Sequence, residues 1–427
     1  MDAAAAHALM SDEGRELLAS LPPYDEKNAV ALTSRLRDQG HSPELVAAAL
    51  TQSRLRAKAV TKFGANAERM FFTPDALEQA TRSAVAALHA ERLRSSGASR
   101  VVDGGCGIGA DAVGFARAGL DVIAVEADPT TAELARHNLA PYPASRVETG
   151  LLEDLAPELR REAPDAAWWF DPARRIPGVA DIHGRTKRTF SLAALSPDWE
   201  LVQQLAADAP AAGAKLSPGL AHGDIPPDCE AELVSYAGDL VEATLWWGQA
   251  VRDEGTTATI VRPTDKRADG STNADNIGSD DAIELRHVTS TDAADASGAL
   301  ARRADLGAFF YEADKALTRS GLVGALLNAV DGREFTAGYG YVTADALTDI
   351  GLLGRAYRVL DAVPLHVKTL RSYLRTHDVG RLTIKKRDVD LDADALRRQL
   401  KLKGSRAMTV VLVNLDGERA ALVVEPA

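Results

Sequence analysis

Two cysteines, Cys106 and Cys229, are all that the 427 residues carry. That is too few for a disulfide framework or a cysteine-rich metal site, so a cytoplasmic protein without a metal is expected. No apolar run reaches the about 18 uncharged residues of a membrane span, and no membrane partner is expected. The opening MDAAAAHALM has no basic flank and runs into Asp12, Glu13 and Glu16, which argues against a signal peptide. Gly (33) and Pro (19) are not in excess, which excludes collagen-like and wholly disordered chains. Basic residues are outnumbered, 49 Lys and Arg against 61 Asp and Glu, for a net charge of -12. Such a chain does not coat nucleic acid indiscriminately. What is present is 46% hydrophobic and 26% charged residues, enough for a sizeable core divided over two or three domains at roughly 150 residues each.

Residues 1–95 carry helical periodicity. Ser42 and Thr73 stand as N-caps, each followed by proline at the first helical position, Pro43 and Pro74. From residue 101 short apolar runs alternate with amphipathic stretches, the pattern of a parallel sheet covered on both faces. Late runs such as CEAELVSYAG, LVEATLWWG and TATIVRP follow one another without helices, so that edge is expected to be antiparallel. The expected fold class is α/β: a Rossmann-like sheet over residues 96–262 behind the helical region 1–95. An acidic insertion with connecting helices follows over 263–330, then a small α+β domain over 331–427.

The sharpest motif is VVDGGCGIGAD, residues 101–111, between an expected strand and an expected helix. Asp103, Gly105, Gly107 and Gly109 fit D-x-G-x-G-x-G, with Cys106 in a variable slot. Glycines there turn the chain tightly and let backbone approach a ligand. Glu126 ends the next expected strand, where a carboxylate accepts hydrogen bonds from ribose hydroxyls. The competing explanation is a tight strand–helix turn with no ligand. The spacing is not the G-x-G-x-x-G of dinucleotide sites, and Asp111 at the helix start suits a cationic ligand better than a pyrophosphate. The loop resembles motif I of class I S-adenosylmethionine-dependent methyltransferases. That resemblance places Asp103 near the methionine part of the cofactor and Glu126 on its ribose. In GLLEDL, it points to Glu153 or Asp154 for the adenine; a solvated helix start explains these two equally well.

WWFDPARR, residues 168–175, puts Asp171 at the carboxyl end of the fourth expected strand, the ligand-binding rim of open α/β sheets. It resembles the D/N-P-P-aromatic motif of methyltransferases acting on amino groups of bases, where the acid and nearby carbonyls orient the acceptor nitrogen. Pro172 is kept, but Ala173 replaces the second proline and Arg174 the aromatic. D-P-P-R also occurs in RNA uracil-C5 methyltransferases, which need a cysteine after strand five. Here that region is KLSP, with Cys229 twelve residues beyond Ser217, so thiol-mediated chemistry is discounted. Arg174, Arg175, Arg185, Lys187 and Arg188 form a basic run that suits phosphate, or a loop paired to nearby acids. Trp168 and Trp169 read as core.

FTPDALEQAT, DPARR, KLSPGL, YEADKAL and LTIKKRDVDLDADALRRQLKLKG together resemble the bacterial class I methyltransferases that end in a THUMP-like domain, from about residue 50 to the end. The resemblance implies an S-adenosyl-L-methionine cofactor and does not fix the substrate; the label THUMP-like suggests RNA, and tRNA or rRNA is the first expectation. The FFTP-helix segment also resembles the region before motif I in trimethylguanosine synthase-like enzymes, which would place Phe72 and Thr73 near the cofactor; a hydrophobic staple and an N-cap account for them equally well. Residues 365–407 carry a charge of +7 within a chain whose remainder is -19. Lys385, Lys386 and Arg387 follow an expected strand and could meet a phosphate backbone; the alternative is a solubilising face. Competing functions are a small-molecule or protein methyltransferase and a non-catalytic RNA-binding protein with a vestigial pocket. A nicotinamide-dependent oxidoreductase is disfavoured by the glycine spacing.

Overall fold

The computed structural model describes residues 3–174, 192–264, 283–294, 296, 300–415 and 417–427. Within it the chain divides into two compact units. The first contains the residues up to Glu230 together with Thr244–Glu254. The second contains Ala231–Ala243, Gly255–Pro263 and Glu284–Ala427.

The first unit begins with helices. Ser42 and Thr73 cap the helices Pro43–Phe63 and Pro74–Gln79: Ser42 Oγ accepts from the Leu45 amide and Thr73 Oγ1 from the Ala76 amide, each at 3.2 Å. Each satisfies an amide that the helix leaves without an internal partner. Phe72 is fully buried against Phe63, ring centroids 5.3 Å apart, in the apolar cluster of this helical region. It acts as a core side chain.

Five parallel strands follow in this unit: β1 (Arg100–Gly104), β2 (Asp121–Glu126), β3 (Ser145–Thr149), β4 (Ala167–Phe170) and, after the two-residue strands β5 (Ala173–Arg174) and β6 (Leu195–Ser196), β7 (Ala211–Leu216). Their spatial order is β7-β4-β1-β2-β3, with parallel register throughout. The order reverses beside β1, so the carboxyl ends of β1 and β4 form the crevice of a doubly wound sheet. Trp168 and Trp169 are core, as expected. Trp169 is fully buried against Trp246 and Phe115, at 5.5 and 5.6 Å between centroids. The strand admits these indoles because residue 213 is glycine: a Cβ there would stand 2.5 Å from Trp246 and 2.7 Å from Trp169.

In the second unit, Thr256–Pro263 pairs in parallel with the strand Glu230–Tyr236, from Ala231 to Tyr236. The all-antiparallel edge expected from the absence of helices is corrected here. The intervening strand returns the chain to its starting end, so a third strand can run with the first. The rest is a seven-stranded sheet ordered Arg333–Glu334, Tyr341–Ala344, Phe309–Ala313, Gly354–Pro364, Glu418–Pro426, Arg406–Leu415 and Val379–Lys386. Residues 301–330 are not helical throughout. The aromatic run Phe309–Ala313 is a strand, as its β propensity favours, and helices begin at Lys315 and Gly324. Two amphipathic helices, Val367–Thr376 and Ala393–Leu400, bury Leu370, Leu374, Leu396 and Leu400 at i, i+4 spacing in one apolar cluster.

No helix of the described residues is long and apolar enough to cross a membrane.

Candidate active site

The glycine loop leaves β1 and enters the helix Ala110–Arg117. Gly105, Gly107 and Gly109 have φ of +100°, +56° and +81°, a region that side-chain-bearing residues rarely adopt. At Gly105 a Cβ would also lie 3.3 Å from the Asp171 carbonyl oxygen, whereas a Cβ on Gly107 would point into open space. The loop therefore presents bare backbone on one side and lies close under the Asp171 backbone on the other. Asn138 fixes it from below. Its amide nitrogen donates to the carbonyls of Ile108 (2.8 Å) and Phe71 (3.1 Å), and its oxygen accepts from the Phe71 amide (2.7 Å). The FFTP connector is thus joined to the underside of the loop.

Asp103 is fully buried at the end of β1, and among the described residues neither carboxylate oxygen has a hydrogen-bond partner. Buried polar groups are rarely left so. Burial pushes its carboxyl well above the ordinary range; Asp111 and Asp171 add to this and Lys215 opposes it. A buried carboxyl without a donor, at the base of an open glycine loop, suits a cationic ligand group.

Glu126 ends β2 and is engaged with the same loop. One oxygen accepts from the Gly107 amide at 3.0 Å and the other from the Asp128 amide at 2.8 Å. Burial raises its carboxyl, and these backbone bonds offset part of that rise. The carboxylate still has lone pairs for a diol, while its bonds to Gly107 and Asp128 already shape the pocket. Cys106 is buried and its thiol pushed well above its ordinary value. Glu153 Oε1 accepts from the Asp198 amide at 3.2 Å.

Asp171 follows β4, with its side chain one-third exposed and ion-paired to Lys215 on β7. Pro172 is buried beside it. The Arg174 backbone pairs with Leu195; Arg175, Arg185, Lys187 and Arg188 lie outside the described residues. Sequence reasoning missed Lys215 and what stands behind it. Lys215 Nζ donates to Thr81 Oγ1 at 2.9 Å and lies 3.9 Å from Asp111. Thr81 Oγ1 donates to Asp111 at 2.7 Å, and His89 Nδ1 stands 2.9 Å from the other Asp111 oxygen. Burial alone would raise Asp111, but His89, Lys215 and Thr81 hold it below the usual range. Asp111 is therefore engaged inward, not offered to a ligand in the loop as its place at the helix start suggested. The available signal was a lysine interrupting the apolar strand AAGAKL at the rim.

Within the C-terminal basic segment, the expected triad divides. Lys385 pairs with Glu312 at 2.6 Å. Arg387 donates to the carbonyls of Tyr339 and Ala313 at 2.6 and 3.1 Å and lies over the Tyr341 ring. Both side chains are only 19% exposed, whereas Lys386 is exposed. An exposed cationic groove lies elsewhere: a cavity of about 240 Å³ lined by Gly380, Leu382, Arg397, Arg398, Lys401 and Leu402.

Residues 354–426 match the family described as THUMP domain-like, and residues 2–59 match a domain of unknown function, DUF8688. Two curated proteins of Mycobacterium tuberculosis, from strains CDC 1551 / Oshkosh and ATCC 25618 / H37Rv, are each 29% identical over 403 residues. The alignment covers 89% of this chain and 95% of theirs, and both are named uncharacterized S-adenosylmethionine-dependent methyltransferase. A putative methyltransferase of Porphyromonas gingivalis W83 superposes with a TM-score of 0.69 at 20% identity, covering 95% of this chain and all of that one. The fold is therefore shared with that structure along nearly the whole chain.

Proposed function

We propose that this S-adenosylmethionine-dependent methyltransferase, with its C-terminal THUMP-like domain, methylates RNA, at a base of tRNA or rRNA, by direct in-line transfer. The reaction class rests on the near full-length similarity to the two mycobacterial proteins and on the glycine loop with Asp103, which has no hydrogen-bond partner among the described residues. The bound cofactor supplies the activated methyl group. In this reading Asp103 meets its cationic end, the backbone of Gly105, Gly107 and Gly109 gives it room, Glu126 accepts from the ribose and Glu153 lies toward the adenine. Asp171, ion-paired to Lys215, accepts a hydrogen bond from the acceptor group and orients its lone pair.

Direct transfer is supported by the state of the thiols. Burial pushes the Cys229 thiol up to about 12, so it offers no thiolate for a covalent route at neutral pH.

The observation that carries RNA as the acceptor is the cationic groove within a domain that matches the THUMP domain-like family. Arg397, Arg398 and Lys401 are exposed there on an otherwise acidic protein. Arg397 pairs with Asp394 and Arg398 lies 3.8 Å from Asp392, but both stay exposed, unlike Lys385 and Arg387 on Glu312; with Lys401 and exposed Lys386 they are the phosphate-facing set of this reading.

The test uses RNA purified from cells lacking this protein, incubated with methyl-labelled S-adenosylmethionine and digested to nucleosides. Label should collect in one modified nucleoside. Label recovered only in protein or small molecules would move the acceptor to those classes. Changing Arg397, Arg398 and Lys401 together to Ala should weaken RNA binding and lower its salt slope by about one unit per lost phosphate contact. An RNA affinity indifferent to both salt and these changes would leave the groove a solubilising surface.

A further inference from the structure

We infer that Lys215 is a positioning residue for methyl transfer: it holds the Asp171 carboxylate at the acceptor rim and links it to the Thr81–Asp111–His89 cluster beneath the glycine loop. The inference rests on the methyltransferase reading of this site.

The exposures of the paired side chains differ. Lys215 is 11% exposed and Asp171 34%. The lysine is therefore enclosed and the acid open, as in a support behind a group that meets a ligand. The other groups around the ammonium come from separate elements. Asp111 lies on the helix Ala110–Arg117 and Thr81 just before the helix Ser83–Ser95; the charges of Asp103 on β1 and Lys62 on the helix Pro43–Phe63 are also felt. His89 adds the second contact to Asp111. Asp111 belongs to the first turn after the glycine loop, so the ammonium joins the cofactor loop to the acceptor rim through two carboxylates.

Stability is a poor explanation for this arrangement. A lysine at an enclosed strand end costs desolvation that its ion pairs at best offset. What the pair does supply is the Asp171 carboxylate in one orientation, a fixed hydrogen-bond acceptor. Misplacing such a group by about 1 Å costs about a hundredfold in rate.

The experiment compares Lys215→Gln and Lys215→Arg with the wild type, using RNA from cells lacking the protein. Lys215→Gln should lower kcat by about a hundredfold, with the cofactor KM and S-adenosylhomocysteine affinity within a few-fold of wild type. The acidic limb of its pH–rate profile should move up by about one pH unit or more, because the neighbouring carboxylates lose their counter-charge. Lys215→Arg should recover most of kcat and leave the limb in place. Crystal structures with S-adenosylhomocysteine give a readout without turnover: Asp171 should shift by more than about 0.5 Å in the Gln variant and stay put in the Arg variant. Should the Gln variant not fold, Thr81→Val removes the second anchor and keeps the charge; kcat should then fall with the limb unmoved. Wild-type kcat, an unmoved limb and an unmoved Asp171 in Lys215→Gln would overturn the role of Lys215 alone. A wild type that binds no S-adenosylhomocysteine would instead overturn the underlying reading, and one that binds it but methylates no RNA would overturn RNA as the acceptor.

Discussion

Asp171→Ala should reduce methyl transfer by about a hundredfold or more, the scale of losing one aligned electrostatic contact to the reacting group. Cofactor affinity should stay within a few-fold, because the Asp171 side chain is engaged with Lys215 and the proposed cofactor contacts fall on Asp103, Glu126 and the glycine-loop backbone. Folding should survive. The side chain is already one-third exposed, and Lys215 keeps Thr81 and Asp111 as partners. Asp171→Asn separates charge from shape: it retains an acceptor oxygen but leaves Lys215 without its nearest anion, so activity should remain low. Turnover near wild type in Asp171→Ala, measured on deletion-strain RNA, would make Asp171 a structural residue.

Asp103→Asn should produce opposite effects on binding and stability. Affinity for S-adenosylhomocysteine should fall by about 1.5–3 kcal/mol, the range for a hydrogen bond to a charged group. The cofactor-free protein should become more stable at alkaline pH and be unchanged in acid. The sign follows from burial, which raises the Asp103 carboxyl well above its ordinary value. Between the unfolded and folded values the native state holds the extra proton, so stability declines as pH rises through that window. Asparagine does not ionise and removes the decline. For the same reason, binding a cationic ligand to the wild type should release a proton in that window, and binding to Asp103→Asn should not. Denaturant melts across pH and calorimetry in buffers of different ionisation enthalpy measure the two effects. A variant with wild-type affinity would remove Asp103 from the ligand's path.

The legible parts of the site are those written in contiguous residues. The glycine loop, the acid at the end of β2 and the capped helices at Ser42 and Thr73 each sit within one strand–turn–helix unit. Local steric and capping rules act directly on such units. Lys215 was not legible because its partners, Thr81, Asp111 and Asp171, come from elements far apart in the chain, as much as 134 residues for Thr81. Only the sheet order brings β7 and β4 side by side. The Lys385-Lys386-Arg387 run misled for a different reason. Read as a charge run it is one surface, but in extended chain alternate residues share a face. Lys385 and Arg387 therefore converge on Glu312, and Lys386 alone is exposed. YEADKAL supplied the matching acid, but its pairing across the sheet could not be read from either segment.

Isothermal titration of the wild-type protein with S-adenosylhomocysteine, and separately with NAD, tests the central claim most directly. The account predicts saturable one-to-one heat with S-adenosylhomocysteine, diminished in Asp103→Asn, and none with NAD. Heat from NAD together with none from S-adenosylhomocysteine would contradict it.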